Sequence, residues 1–420
     1  RRAAGRCFSA LVNCRGKQRL TIKPVLSDRR TLILTLGALC ALGAASIDMY
    51  LPALPSLAEE LPGPAGGAQF TLSAFFLGMA FSQLVYGPLS DAMGRRTVLL
   101  GGLLVFVLAS LACAMAESIP QLIGLRVLQA LGAGVGGVVA RAIVRDIYRG
   151  NQAASAQSLI NLSMQVTPLL APIVGGQLLT RFHWQSIFLF LALFGITCIA
   201  LTFFKVNESL PPQKRTRFHL ATLLGGYARV ISNRYSLGCI LTGAFSFGAF
   251  FAYLAGSPFV FIEIYAVPAE HYGYFFSINV VGIIIAAFIN SRVVLHAGPL
   301  LMLRIGVCVM ALAAIVLLWS ALVPGQLWHI VVPLFFVVGS IGIIGANAIS
   351  CTLQPFSYIA GTAAATFGFI QMLIGALVGT AVGLLHDGSA GPMCLVIAVM
   401  ALTALGLCLS LIREPRKGTE

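Results

Sequence analysis

Twelve long apolar runs, separated by short gaps that hold almost all of the charge, constrain this chain of 420 residues more than any other feature. They lie at about 31–52, 69–86, 97–116, 119–142, 153–180, 183–204, 235–256, 270–290, 299–322, 326–350, 359–384 and 389–411. Runs near the ~20 residues that a helix needs to cross a bilayer are too long for barrel strands, so an all-α integral membrane protein is expected. Composition agrees, with 58% hydrophobic and 10% charged residues where soluble domains carry roughly 25% charged. The gap 205–234 is the longest and divides the spans six plus six. The expected organisation is a basic arm (1–30), a six-helix bundle (31–204), a linker (205–234), a second six-helix bundle (235–412) and a tail (413–420).

Basic residues set the orientation. Of 27 Lys and Arg, 24 fall in the N-terminal arm, the even-numbered gaps and the tail. The positive-inside rule therefore predicts a multi-pass protein with both termini in the cytoplasm. Residues 1–30 read as a membrane-surface arm and not as a cleaved signal, because the apolar run that begins near 31 is too long for one.

Other classes are set aside on similar grounds. The net charge of +14 is spread between spans, with no basic patch interleaved with stacking aromatics, so nucleic acid is not an expected partner. The ten cysteines are scattered, without Cys-x-x-Cys pairs or clustered His, and no metal site is expected. No P-loop exists, which argues against direct ATP drive. Neither a repeated acid/His constellation nor a sizeable soluble domain supports an enzyme or receptor. Asn161-Leu162-Ser163 and Asn207-Glu208-Ser209 match the glycosylation sequon by chance, one inside a span and one in the linker.

Between the second and third runs, Gly87-Pro88-Leu89-Ser90-Asp91-Ala92-Met93-Gly94-Arg95-Arg96 packs an acid, two arginines and helix breakers into a tight charged hairpin. At an offset of 204 Gly94 falls on Gly298, but Leu295 replaces Asp91 and Pro299-Leu300 replaces the arginine pair. Repetition of the halves is thus supported by layout more than by residues.

These residues resemble a known family. Gly87-x-Leu89-x-Asp91-x-x-Gly94-Arg95-Arg96 is similar to the helix 2–3 signature of the major facilitator superfamily. Ser46-Ile47-Asp48-Met49-Tyr50-Leu51-Pro52-Ala53-Leu54-Pro55, Arg145-Asp146-Ile147-Tyr148 and Gly256-Ser257-Pro258-Phe259-Val260-Phe261-Ile262-Glu263 resemble its bicyclomycin/chloramphenicol resistance branch of drug:proton antiporters. Arg126-x-x-Gln129-x-x-Gly132 is similar to the superfamily's helix-4 arginine motif. Ala171-Pro172-Ile173-Val174-Gly175-Gly176 resembles its antiporter motif, with Ala171 where Gly is usual. The resemblance covers about 31–412. It implies two six-helix bundles in an inner membrane, export of small amphipathic drugs by alternating access, and protons as the coupling ion without a further cofactor. The runner-up is export of a metabolite or amino acid such as cysteine. A monomer with a drug substrate and the bilayer as partners is expected.

Candidate roles follow, each beside a blander reading. Asp48 lies about four residues from the end of the first span and Arg126 about seven residues into the fourth, roughly 6 and 10 Å deep, which is compatible with contact. An arginine within a span marks an ion or proton path by default. Asp48, Arg126 and, as a second acid, Glu263 are the proton-coupling candidates; the alternative places both acids at solvated helix ends. The resemblance implies that Gly87, Asp91, Gly94, Arg95, Arg96, Arg145 and Asp146 form a cytoplasmic gate reaching the start of helix 11, although the arginines would also serve as bare topology signals. Pro168, Pro172, Gly175 and Gly176 concentrate breakers in one span and read as a hinge, a seal or ordinary close packing. Gly375-x-x-x-Gly379-x-x-x-Gly383 suits intramolecular packing better than a dimer face. Polar and aromatic candidates for a drug cavity are Gln83, Asn161, Gln165, Phe247, Tyr253, Asn279, Asn347 and Gln371.

Overall fold

A computed structural model describes residues 26–149, 151–215, 220–322 and 325–412. Most of the basic arm and the whole tail, with Arg413, Arg416 and Lys417, lie outside the described residues. The first half comprises α1 (Leu26–Asp48), α2 (Leu54–Glu60), α3 (Gly67–Met93), α4 (Arg95–Ala114), α5 (Ile119–Ile147), α6 (Asn151–Arg181) and α7 (Gln185–Lys205). A linker helix, α8 (Leu220–Ser232), follows. The second half holds α9 (Arg234–Pro258), α10 (Ala269–Ala297), α11 (Pro299–Leu322), α12 (Trp328–Leu353), α13 (Ala360–Leu384) and α14 (Gly391–Leu411). No strand occurs among the described residues. Twelve helical stretches are long and apolar enough to cross a membrane, the first formed by α1 and α2 through a 3₁₀ turn at Leu51–Ala53.

Helix ends follow local chemistry. Ser118 caps α5 by accepting the Gln121 N–H, and Asn233 caps α9 by accepting the Ser236 N–H. Gly94 and Gly298 each take a positive φ, 101° and 79°, and separate α3 from α4 and α10 from α11. The weak sequence echo at these glycines is therefore a real backbone repeat.

The halves meet along two seams, α3 against α13 and α6 against α10. With lipid on the outside as apolar as the interior, such seams depend on close backbone approach. On one seam Gly66 lies on the backbone of Gly383 and Gly379 lies on Ser73; on the other Gly176 lies on the backbone of Ala269 and Gly273 on Ile173. The Gly375–Gly383 stripe is thus occupied inside the chain, by Phe251 of α9 and by α3. Of the α6 glycines, Gly176 is a contact point of the seam and Gly175 lies on the backbone of Met49 within the first half, and α6 runs as one helix through Pro168 and Pro172.

Candidate functional site

Arg126, in the second turn of α5, is fully buried. Its guanidinium lies between the rings of Tyr50 (4.4 Å) and Phe75 (4.2 Å), with Phe188 at 5.8 Å. Nη1 donates to the Ser46 carbonyl at 3.2 Å and to Gln129 Oε1 at 2.7 Å. Gln129 in turn donates to Ser110. Nε and Nη2 have no partner among the described residues. Desolvated cation–π contacts, worth about 2 kcal/mol or more each, are the main compensation for a buried charge held without an acid.

The contact expected between Asp48 and Arg126 is not made. Ser46 and Tyr50, four residues apart, share the face of the chain that meets α5, whereas Asp48 lies between them and projects elsewhere. Depth along the axis was compatible with contact, but rotation about it was not. Asp48 is 5% exposed and has no ion pair or hydrogen bond among the described residues. The Leu51–Ala53 turn that follows it packs on α9 and α10, and the Tyr253 and Tyr272 phenols of those helices lie within electrostatic range of the carboxylate. Glu263 sits in a π-helical turn after Pro258 and is exposed, with His386 and Glu59 as charged neighbours. It occupies the solvated end of the bundle.

At the other, basic end the arginine hairpin is tighter than its sequence suggests. Helix α3 continues through Gly87 and Pro88 to Met93, so the turn is Gly94 alone. Proline lacks the N–H that would bond Leu84. The orphaned Leu84 carbonyl instead accepts from Tyr227 Oη of α8 at 3.4 Å. Arg95 is 4% exposed and binds Asp91 Oδ1 (2.6 Å), Asp146 Oδ2 (3.0 Å) and Ser90 Oγ (2.6 Å). Arg96 donates to the Phe203 carbonyl at 2.7 Å and lies over the Phe203 ring. These partners of Arg95 and Arg96 all belong to the first half. Asp91 is engaged with Arg95, and the side chain near the start of α13, beside Gly361, is Arg145.

Sequence reasoning missed two members of this network. Glu208 accepts the first backbone N–H groups of α4, from Arg95 at 2.9 Å and Arg96 at 3.3 Å, and Ser209 donates to Asp146 at 3.1 Å. A linker carboxylate therefore acts as the helix cap, where the macrodipole favours it. The available signal was one acid among six linker cations, in the segment read as a chance sequon.

The cavity candidates separate into groups. Asn279 donates to Tyr253 Oη at 3.0 Å in a fully buried cluster. Phe247 joins a ring series with Phe250 and Phe251, and Phe251 meets Phe76 of the first half at 4.4 Å. Gln83 and Gln371 are half-buried, and Gln83 lies on Gly368 of α13 at the α3 seam. Asn347 is committed to Asn290 at 2.7 Å within the second half. Asn161 is exposed and accepts from Gln157, while Gln165 is half-buried.

Comparison with known proteins bears on this geometry. A family model described as Major Facilitator Superfamily matches residues 34–380. The chain is 34% identical over 375 residues to a bicyclomycin resistance protein homolog of Haemophilus influenzae, covering 88% of this chain and 94% of that one. It is 31% identical over 386 residues to multidrug resistance protein D of Escherichia coli strain K12, covering 88% and 93%. Among solved structures, a D-xylose-proton symporter superposes with a TM-score of 0.72 at 17% identity, covering 93% of this chain and 99% of that one. That last likeness concerns the fold alone.

Proposed function

Because the chain belongs to the major facilitator superfamily and is a multi-pass membrane protein, we propose that it exports small amphipathic antibiotics in exchange for protons, by alternating access. The observation that carries this reading is Asp48: an acid buried where the halves meet, with no cation partner among the described residues. An isolated carboxylate at such a place is expensive to keep ionised, and taking up a proton removes the cost. A group of this kind changes charge as the cavity changes face. The relatives' printed names, bicyclomycin resistance and multidrug resistance, supply the substrate class.

The basic end is assigned to the cytoplasm by the positive-inside rule. The seam contacts of α6 with α10, at Gly176 and Gly273, then lie in the outer half of the bundle and close it. Substrate enters from the cytoplasm, against the Phe247–Phe251 ring series and the half-buried Gln83 and Gln371. A proton reaching Asp48 from outside drives the return. Arg126 supplies a fixed positive field on the far side of the first span, and Arg95 with its carboxylates keeps the cytoplasmic ends of α3, α4 and α5 together.

Inside-out vesicles energised by respiration test the reading. Addition of chloramphenicol or bicyclomycin is expected to release protons from vesicles bearing the wild type, and to release none from vesicles bearing Asp48→Asn. If neither antibiotic moves protons while cysteine does, the protein is a metabolite exporter. If no compound evokes flux, proton-coupled export is wrong.

A further inference from the structure

Between Glu208 and Glu263 the sequence holds no acid, while Lys214, Arg215, Arg217, Arg229 and Arg234 fall in the linker. Arg215 reaches Glu208 at 3.9 Å; Arg229 and Arg234 are exposed and form no ion pair among the described residues. The helix in this stretch, α8, therefore carries positive charge that its own surroundings leave open.

Helix periodicity sorts α8 into three faces, roughly a third of a turn apart. Gly226, Tyr227 and Val230 make the packed face: Gly226 lies against Thr362 of α13, Tyr227 Oη donates to the Leu84 carbonyl of α3 at 3.4 Å, and Val230 is fully buried. Leu224, Ala228 and Ile231, spaced by four and three, make an exposed apolar face, with Leu224 56% and Ile231 43% exposed. Gly225, Arg229 and Ser232, at the same spacing, make an exposed polar face.

The level of α8 is fixed by its neighbours. Only Asn233 separates it from α9, whose first turn Asn233 caps, so α8 adjoins the seventh span at the basic end of the bundle. Its packed face bridges α3 and α13, the two sides of one seam, and Tyr227 meets α3 where Phe81 and Val85 are exposed and apolar. The tether is made to a carbonyl that α3 cannot satisfy by itself, because Pro88 has no N–H. An exposed apolar stripe beside a cationic one, at the level where spans enter the bilayer, is the pattern of a helix lying in the interface, its apolar side chains at the acyl boundary and its arginines at the headgroups.

We propose that α8 lies in the cytoplasmic leaflet and binds anionic phospholipid through Arg229 and Arg234, with Leu224 and Ile231 in the acyl region, and that Tyr227 passes this attachment to the α3–α13 seam. The leaflet thereby steadies the inner end of the seam, whatever substrate the protein carries.

Two measurements test this. In inside-out vesicles, with the wild type as control for the native cysteines, a membrane-impermeant maleimide is expected to label Ser232→Cys about tenfold faster than Leu224→Cys, because one face is in water and the other in lipid. Equal rates overturn the placement, and so do disulfide-linked dimers through Leu224→Cys, which would mean that a second copy covers the face. In nanodiscs of phosphatidylcholine, added phosphatidylglycerol is expected to slow hydrogen exchange in α8 by up to about fivefold for each arginine engaged, and to slow it at the inner ends of α3 and α13 as well. The double variant Arg229→Gln/Arg234→Gln removes this lipid dependence. Tyr227→Phe keeps it in α8 and loses it in α3 and α13. Exchange that ignores phosphatidylglycerol overturns the binding, and a Tyr227→Phe pattern identical to that of the wild type overturns the tether.

Discussion

Arg95 and Arg126 are both buried arginines of the first half, and their charges are held by opposite means. Arg95 has two carboxylates and a hydroxyl on three of its nitrogens; Arg126 has ring faces, one carbonyl and one amide oxygen, and two nitrogens without partners among the described residues. The first arrangement is an electrically closed lock. The second leaves a net positive charge inside the bundle, costly to bury and useful only if something in the transport cycle responds to it. Position in the fold explains the difference: Arg95 sits at a helix start where acids from α3 and α5 converge, while the neighbours of Arg126 come from apolar spans.

Substitutions at these sites test the contrast, the largest effect first. Arg126→Ala is expected to abolish drug-evoked proton flux in vesicles, and Arg126→Lys to rescue little of it, because an ammonium cannot stack flat between Tyr50 and Phe75. Full rescue by Lys would reduce Arg126 to a bare charge. Arg95→Ala should instead act on stability, lowering thermal unfolding in detergent by an amount equivalent to about 1–3 kcal/mol, since Asp91 and Asp146 are left facing each other with partial solvent access. A loss of transport without a stability change would show that the two arginines do not divide the work in this way.

Smaller effects come from the supports of the lock. Glu208→Gln is expected to cost about 1 kcal/mol, from weakened capping of α4, and Gly94→Ala about 1–3 kcal/mol from a backbone conformation that essentially only glycine adopts, with Glu208 crowding the added methyl. Thermal melts of the two variants and the double variant read the coupling between them. The smallest effect is at Asp387, beyond the end of α13, where hydrogen bonds from Ser389 hold the carboxyl below its ordinary value of 3.8. A carboxyl depressed on folding adds stability that is present above that value and lost as pH falls through the lower one. Ser389→Ala should therefore lower stability slightly at neutral pH and flatten the acid sensitivity below about pH 4, the two proteins converging at low pH.

Much of this architecture is legible in one sequence because the bilayer imposes few choices. Twelve apolar runs, a long basic linker and one-sided cations follow from span length and charge placement, and Arg126 stands out because a charge within a span is rare. Less of the candidate site was legible. Asp48 and Arg126 were matched by depth, but the rotation of α1 turns them apart, and rotation is set by neighbours such as Gly175 of α6. Glu208 was hidden because its partners lie more than a hundred positions earlier in the chain.

The sequence by itself determined that this chain is a twelve-span, six-plus-six membrane protein of the major facilitator superfamily, since apolar length and short motifs are local quantities. Only the tertiary structure decided which groups neutralise which: that Arg95 is closed by acids and by a linker cap, that Arg126 rests on aromatic rings, and that Asp48 is buried without an ion-pair partner among the described residues. Pairing depends on the azimuth of each helix and on the packing of glycines at the seams, and neither is written in the spacing of residues along a single span.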